Sequence, residues 1–157
     1  MHPNEELITR FYTAFAARDA ETMASCYHPD AHFEDPVFPS LDGTQPGDMW
    51  RMLCQRADDL VIHFRDVKAD DTTGSAHWDA DYTFSTTGRM VNNSIDATFT
   101  FQDGLIRTHT DVFDFWRWSR MALGVPGVLL GWSPLIRNKV RGTAGQQLER
   151  FIAKKAG

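Results

Sequence analysis

Between His77 and Phe84 the chain reads HWDADYTF, with Trp78, Ala80, Tyr82 and Phe84 alternating strictly with His77, Asp79, Asp81 and Thr83. A period of two sends one set to each face of a strand, so the segment predicts a half-buried strand with its apolar side inward. The same period recurs around it. Leu60 to Lys68 reads as one strand, and the acidic turn DDTTG (70–74) leads into the aromatic one. TTGR (86–89) turns into Met90 to Phe101, and QDG (102–104) is a hairpin signal opening a strand from Leu105 to Trp118. Such a meander leaves one dry face that other elements must cover.

The cover precedes it. Asn4 is a good helix N-cap, Glu5 and Glu6 suit the positive end of a helix, and Leu7, Ile8, Phe11 and Phe15 recur at helical spacing. A short second helix follows Asp19, with Met23, Cys26 and Tyr27 inward, and HPD (28–30) stops it because the residue before a proline avoids the helical region. Ala31 to Phe38 reads as a strand with Ala31, Phe33 and Asp35 on one face, and Pro36 marks its end or an edge. A third helix starts at Thr44, with Met49, Trp50, Leu53 and Cys54 on one side. Helices followed by meandering strands predict an α+β fold, with the helices on one face of a curved antiparallel sheet. In the tail, GVPGVLLGWSP (124–134) reads as an apolar loop and Ala144 to Lys155 as an extra C-terminal helix.

A chain of 157 residues, 42% hydrophobic, suits one domain over 1–157, with 117–157 as its C-terminal extension and no repeat or linker. The net charge of −5 argues against a nucleic-acid partner, which needs a basic stripe, and does not favour an anionic membrane surface. Cys26 and Cys54 are too few and too unpatterned for a disulfide framework or a zinc site and read as buried thiols. The N-terminus lacks the basic-then-apolar order of a signal peptide. The apolar run Ala122 to Trp132 is broken by glycine and proline and falls far short of the roughly 20 residues of a membrane span. A cytoplasmic protein is expected. The run His28, Asp30, His32, Glu34 has ligand-type residues without metal-site spacing, so no metal is expected.

Four segments carry a family resemblance: AARD (16–19), YHPDAHFEDP (27–36), FTFQDGLI (99–106) and HTDVFD (109–114). Over about residues 4–116 the chain resembles the nuclear transport factor 2-like superfamily, which includes ketosteroid isomerases and SnoaL-like polyketide cyclases. The resemblance implies a cone-shaped, cystatin-like α+β barrel with an apolar pocket, a homodimer, and catalysis without a cofactor. Asp35 falls where ketosteroid isomerases place their catalytic base, a carboxylate whose pKa is raised by burial. The tyrosine of the first helix that donates to the enolate oxygen in that family is matched by Phe11, and Tyr12 lies one step, about 100°, around the helix. The family's second acid is nearest to Asp96, but Ala97 takes its position counted from Phe99, so Asp96 reaches the pocket only through a bulge. Asp111 matches the acid-base aspartate of the SnoaL-like cyclases, with His109 on the same strand face.

The candidate catalytic set is therefore Asp35, Asp111, His109 and Asp96. Phe11, Phe15, Phe33, Trp50, Trp78, Tyr82 and Phe113 are candidate walls for a small apolar ligand. Each has a plain structural reading as well: Asp35 as a turn former before Pro36, Asp111 as a partner of Arg107 or Arg117, the aromatics as core. Aromatic and basic FWRWSRM (115–121) reads as a dimer interface or a lid. Three functions follow: an acid-base enzyme of isomerase, cyclase or hydratase type acting on a small apolar carbonyl compound, a non-catalytic ligand-binding or scaffold module, or, as the resemblance to the transport factor implies, a module that meets a protein partner through the aromatic tail.

Overall fold

The aromatic segment lies in β4 (Thr73–Phe84), where burial alternates as the chemistry does: Ala76, Trp78 and Ala80 are buried and the residues between them are not. The computed structural model describes residues 1–56 and 58–156. Their elements run α1 (Pro3–Ala16), α2 (Ala20–Ser25), β1 (Tyr27–Glu34), β2 (Leu41–Asp42), α3 (Gln45–Arg56), β3 (Val61–Ala69) and β4. β5 (Arg89–Gln102), β6 (Leu105–Val112), α4 (Phe115–Leu123), α5 (Val125–Leu130) and α6 (Pro134–Ala156) follow. The strands form one curved sheet in the order β2-β1-β6-β5-β4-β3. Every junction is antiparallel except β1 with β6. The fold is the expected α+β class, with helices against one face of the sheet and a C-terminal helix.

Helix α1 supplies most of the cover. Its buried face holds Leu7, Ile8, Phe11, Tyr12 and Phe15, a stripe wide enough to take two adjacent aromatic residues. His2 rather than Asn4 is the N-cap, its ring Nδ1 accepting from the Asn4 backbone N–H at 3.0 Å. Asn4 is buried instead, and its amide donates to the Asp70 carbonyl at 3.0 Å, tying the helix start to the β3–β4 turn. Asp19 caps α2 as expected, accepting from Thr22 N at 3.1 Å.

HPD does more than stop α2, because β1 already begins at Tyr27 and runs through it. Pro29 cannot donate to a ladder, and the β1–β6 register breaks between Tyr27 and His32, where that missing donor does no harm. The strand then ends at Glu34, earlier than the alternation suggested, because Asp35 closes a turn. Its Oδ1 accepts from Val37 N at 2.8 Å and Phe38 N at 2.6 Å, while its own N–H donates to the Phe38 carbonyl at 2.9 Å.

The last strand is also shorter than the expected Leu105–Trp118. Asp114 accepts from Arg117 N at 3.1 Å and starts α4, so FWRWSRM is helical and buries Phe115, Trp118, Ser119 and Ala122 at helical spacing. Phe115, Trp118 and Ala122 form, with Val91, a second apolar cluster beside the main core. The apolar segment expected to be a loop contains α5, and α6 starts ten residues before the expected Ala144. Buried Leu148 and a Lys155–Asp48 ion pair of 2.5 Å fasten α6 to the body at α3.

Asp114→Ala removes that cap and should cost about 0.5–2 kcal/mol. Chemical denaturation is expected to show the loss, with increased proteolysis confined to residues after 114.

Candidate active site

Parallel pairing brings the candidate residues together. Phe33 of β1 lies opposite His109 of β6, and Glu34 opposite Thr110. The two-residue period carries this one step further, so Asp35, just beyond β1, reaches the level of Asp111 on the same inner face. In β6, His109 and Asp111 are buried while Thr110 and Val112 are not.

Inside this face runs a continuous polar chain. The Trp50 indole N–H donates to Tyr27 Oη at 2.8 Å, and Tyr27 Oη lies 2.8 Å from His109 Nδ1. His109 Nε2 is 2.9 Å from Asp111 Oδ1, which also receives the Trp78 indole N–H at 3.4 Å. An indole N–H can only donate, so Tyr27 accepts from Trp50, and the same hydroxyl meets His109 Nδ1 while His109 Nε2 meets Asp111 Oδ1. Burial holds the Tyr27 phenol well above its usual pKa, so it stays a donor. Phe33 and Phe99 pack on the imidazole, with ring centroids 4.9 Å and 4.4 Å away. With water excluded, each member depends on its neighbour for satisfaction.

Asp35 sits at the rim of this interior. The residue is half-buried, and desolvation pushes its carboxyl up to about 7. The Phe38 and Val37 N–H groups and Arg141 oppose that rise, and the nearby Asp111 charge adds to it. Oδ1 is occupied by the turn, and Oδ2 has no hydrogen-bond donor among the described residues. The Tyr82 hydroxyl feels this carboxyl: its pKa is raised by burial and also by the Asp35 charge. The Trp118 indole N–H donates to Tyr82 Oη at 2.8 Å, which leaves the phenol proton free to point elsewhere.

The other candidates separate into three groups. Phe11, Phe15, Phe33, Trp50 and Trp78 are buried core, whereas Tyr82 and Phe113 are half-buried and link the main core to the second cluster. Asp96 does not join the set. β5 buries Val91, Asn93, Ile95, Ala97 and Phe99, so parity turns Asp96 outward. Its side chain is 80% exposed and pairs with His77 at 2.9 Å. The one irregularity between β5 and β6 lies at Thr100/Phe101, too far along to reverse it. His28 and His32 meet Asp103 and Asp42 at the surface.

Besides Tyr27, which the sequence placed only as an inward residue of a helix, three relevant residues lay outside the sequence-based set. Tyr12 is fully buried, and its hydroxyl is the buried side-chain polar atom without a partner among the described residues. Burial first, then the Asp111 charge, raises its pKa. The 100° step from Phe11 keeps Tyr12 within the buried stripe, so width of the apolar face was the signal. Trp118 and Arg141, whose Nε donates to the Pro36 carbonyl at 2.8 Å, come from the C-terminal extension and had no local signal. Two surface depressions, of about 460 and 590 Å³, are lined by other residues, the first along α1 and α2 and the second around Lys68–Ser75 and Thr98–Thr100.

A curved mixed sheet packed on N-terminal helices, with acidic residues and a histidine on its inner face, defines a nuclear transport factor 2-like α+β protein. The SnoaL-like domain model matches residues 8–109, and the chain belongs to that family. Solved structures agree in fold. A nuclear transport factor 2-like protein of unknown function from Burkholderia pseudomallei superposes with a TM-score of 0.67 at 16% identity, covering 77% of this chain and 98% of its own. A putative polyketide cyclase from Xanthomonas campestris gives 0.62 at 19% identity, covering 74% and 93%. An LEH-like epoxide hydrolase from M. tuberculosis gives 0.63 at 17% identity, covering 81% and 95%. No curated protein matches the chain.

Tyr27→Phe strands the Trp50 N–H and His109 Nδ1 inside the core. Two unpaired buried groups at about 1–3 kcal/mol each should lower unfolding free energy by roughly 2–5 kcal/mol in urea denaturation.

Proposed function

We propose that this SnoaL-like protein binds a small, largely apolar carbonyl compound where Asp35, Tyr82 and Phe113 meet, and moves a proton on it without a cofactor. Asp35 is the base. Its free Oδ2 takes a proton from the carbon next to the carbonyl, and the Tyr82 hydroxyl, oriented by Trp118, donates to the oxygen as enolate charge develops. Returning the proton to another carbon gives isomerisation. If the enolate carbon instead attacks a second carbonyl of the same molecule, that C=O π bond opens as the new C–C bond forms and the Asp35 proton goes to the resulting alkoxide, which is ring closure. If a β-hydroxyl leaves, it takes the proton and departs as water, the reverse of hydration. Asp111, anchored by His109 and Trp78, acts on Asp35 through its charge, which adds to the rise in the Asp35 pKa and so helps hold the Asp35 proton until it is needed. The observation carrying this reading is a half-buried carboxyl with pKa about 7 and one oxygen without a donor, whose charge is felt by the Tyr82 phenol. Such a group is part base and part acid at neutral pH, which suits reversible proton transfer.

A second reading has its own support. The inner face beside His109 is filled by aromatic side chains, and Phe11 has no hydroxyl where the isomerases carry one. The same rim would then hold an apolar ligand without turning it over.

Deuterium uptake from solvent into a panel of enolisable cyclic ketones and diketones, followed by mass spectrometry, separates the two. Catalysis predicts uptake that rises with pH through about 7 as Asp35 loses its proton. Asp35→Asn is expected to reduce it at least ~10²-fold, the usual contribution of a positioned base. Uptake unchanged in Asp35→Asn removes Asp35 as the base. A co-purified small molecule with no uptake in the native protein supports the binding module.

The same group sets a pH dependence of stability. An Asp35 pKa raised from 3.8 to about 7 means the native state pays for ionising it. Its contribution is most favourable below the unfolded pKa and falls as pH rises from about 4 to about 7. Asp35→Asn keeps the turn acceptor and removes the penalty, so it should raise stability at pH 8 by at most roughly 4 kcal/mol, with the gain vanishing near pH 4. Thermal unfolding across that range measures it.

A further inference from the structure

Charge and exposed apolar surface are segregated in this chain in a way its net charge hides. Residues 115–157 hold eight Lys/Arg and one acidic residue, net +7, while residues 1–114 hold eight Lys/Arg and twenty acidic residues, net −12. The basic part also carries most of the exposed large apolar side chains. Val125, Val128, Leu129, Leu130, Trp132 and Leu135 are all exposed, Leu129 at 63% and Trp132 at 65%.

These residues are exposed because α5 is packed inside out. Gly127 and Gly131, four residues apart on one side, are buried against Ser119 of α4 so closely that a methyl group at either would overlap Ser119. With the glycine side given to the protein, the helix turns its valine and leucines outward, the reverse of a helix that contributes to a core. The Trp132 indole N–H donates to the Leu129 carbonyl at 2.9 Å, holding the exposed ring at the end of α5. Around this tip Arg120, Arg137 and Lys139 are exposed and make no ion pair among the described residues.

We propose that the α5 tip is a peripheral docking site for an anionic lipid surface, with the apolar side chains and Trp132 in the headgroup boundary and Arg120, Arg137 and Lys139 against the lipid charges. Exposed apolar residues with tryptophan and a rim of cations are what such a surface recognises. No described helix is long and apolar enough to cross a membrane, so the contact is one of lying on the surface. A second copy of the chain fits less well. Tip-to-tip contact would press two +7 ends together, and the acidic body offers the tip only the scattered exposed residues Met1, Val61, Met90 and Val112.

Co-sedimentation of the full chain with vesicles of phosphatidylcholine alone, or with one quarter phosphatidylglycerol, tests this. Binding is expected to the anionic vesicles, with a blue shift in tryptophan emission, and to weaken with salt. Leu129→Glu with Trp132→Glu should reduce partitioning at least ~10-fold, and Arg137→Gln and Lys139→Gln roughly 5-fold each. All four positions lie outside the core, so circular dichroism and melting should stay unchanged. Absence of partitioning, or partitioning that survives these substitutions, overturns the proposal. So does a concentration-dependent dimer that Leu129→Glu dissociates, which would make a second copy the occupant.

Discussion

Parallel pairing of β1 with β6 sets Phe33 beside His109 and carries Asp35 to the level of Asp111 one pleat further on. Without that single parallel junction the two carboxylates, 76 residues apart in the sequence, would share neither a strand pair nor a face. The pairing also closes the interior. Tyr27 at the start of β1 reaches His109 on β6, and the chain from Trp50 through Tyr27 and His109 to Asp111 and Trp78 joins α3, β1, β6 and β4 by hydrogen bonds. Such a chain is worth more as a constraint than as a sum of bonds, because breaking any member leaves another unpaired in a dry core.

From this arrangement the two carboxylates diverge in character. Asp111 is buried with His109 Nε2 and the Trp78 indole N–H both on Oδ1. Asp35 has backbone donors on one oxygen only and feels the Asp111 charge, and desolvation wins, lifting its pKa to about 7. Environment thus sets chemically identical groups apart, and the proposed function rests on that difference. The C-terminal extension completes the rim. Trp118 from α4 orients the Tyr82 phenol and Arg141 from α6 tempers the Asp35 shift.

Much of this architecture was legible in strict alternation and turn chemistry. β3 to β5 and the start of β6 follow from the period of two, and helices α1 to α3 from apolar spacing. Two boundaries were misplaced for one reason, an aspartate turning the chain within an apolar run: Asp35 ends β1 and Asp114 starts α4. Periodicity cannot see such a turn when the residues beyond it are also apolar. The β1–β6 pairing was equally hidden, since no local pattern reports which distant strand a segment will meet. Asp96 was placed correctly by parity alone, which turns it to solvent, and the resemblance that raised it could not override the pleat. Tyr12, Trp118 and Arg141 required tertiary packing to find. Charge segregation was countable from the start, but the net −5 concealed it until the fold separated the acidic body from the basic extension.

The central claim is that the fold holds Asp35 near half-protonation at neutral pH while the rim leaves it reachable. Carbon-13 NMR of the aspartate side-chain carboxyl groups, with the Asp35 resonance assigned by its absence in Asp35→Asn, reads this directly. A titration midpoint near 7 is the predicted result, moving downward when the Asp111 charge is removed in Asp111→Asn. A midpoint near the ordinary carboxylate value of about 4 would contradict it and leave Asp35 a turn residue alone.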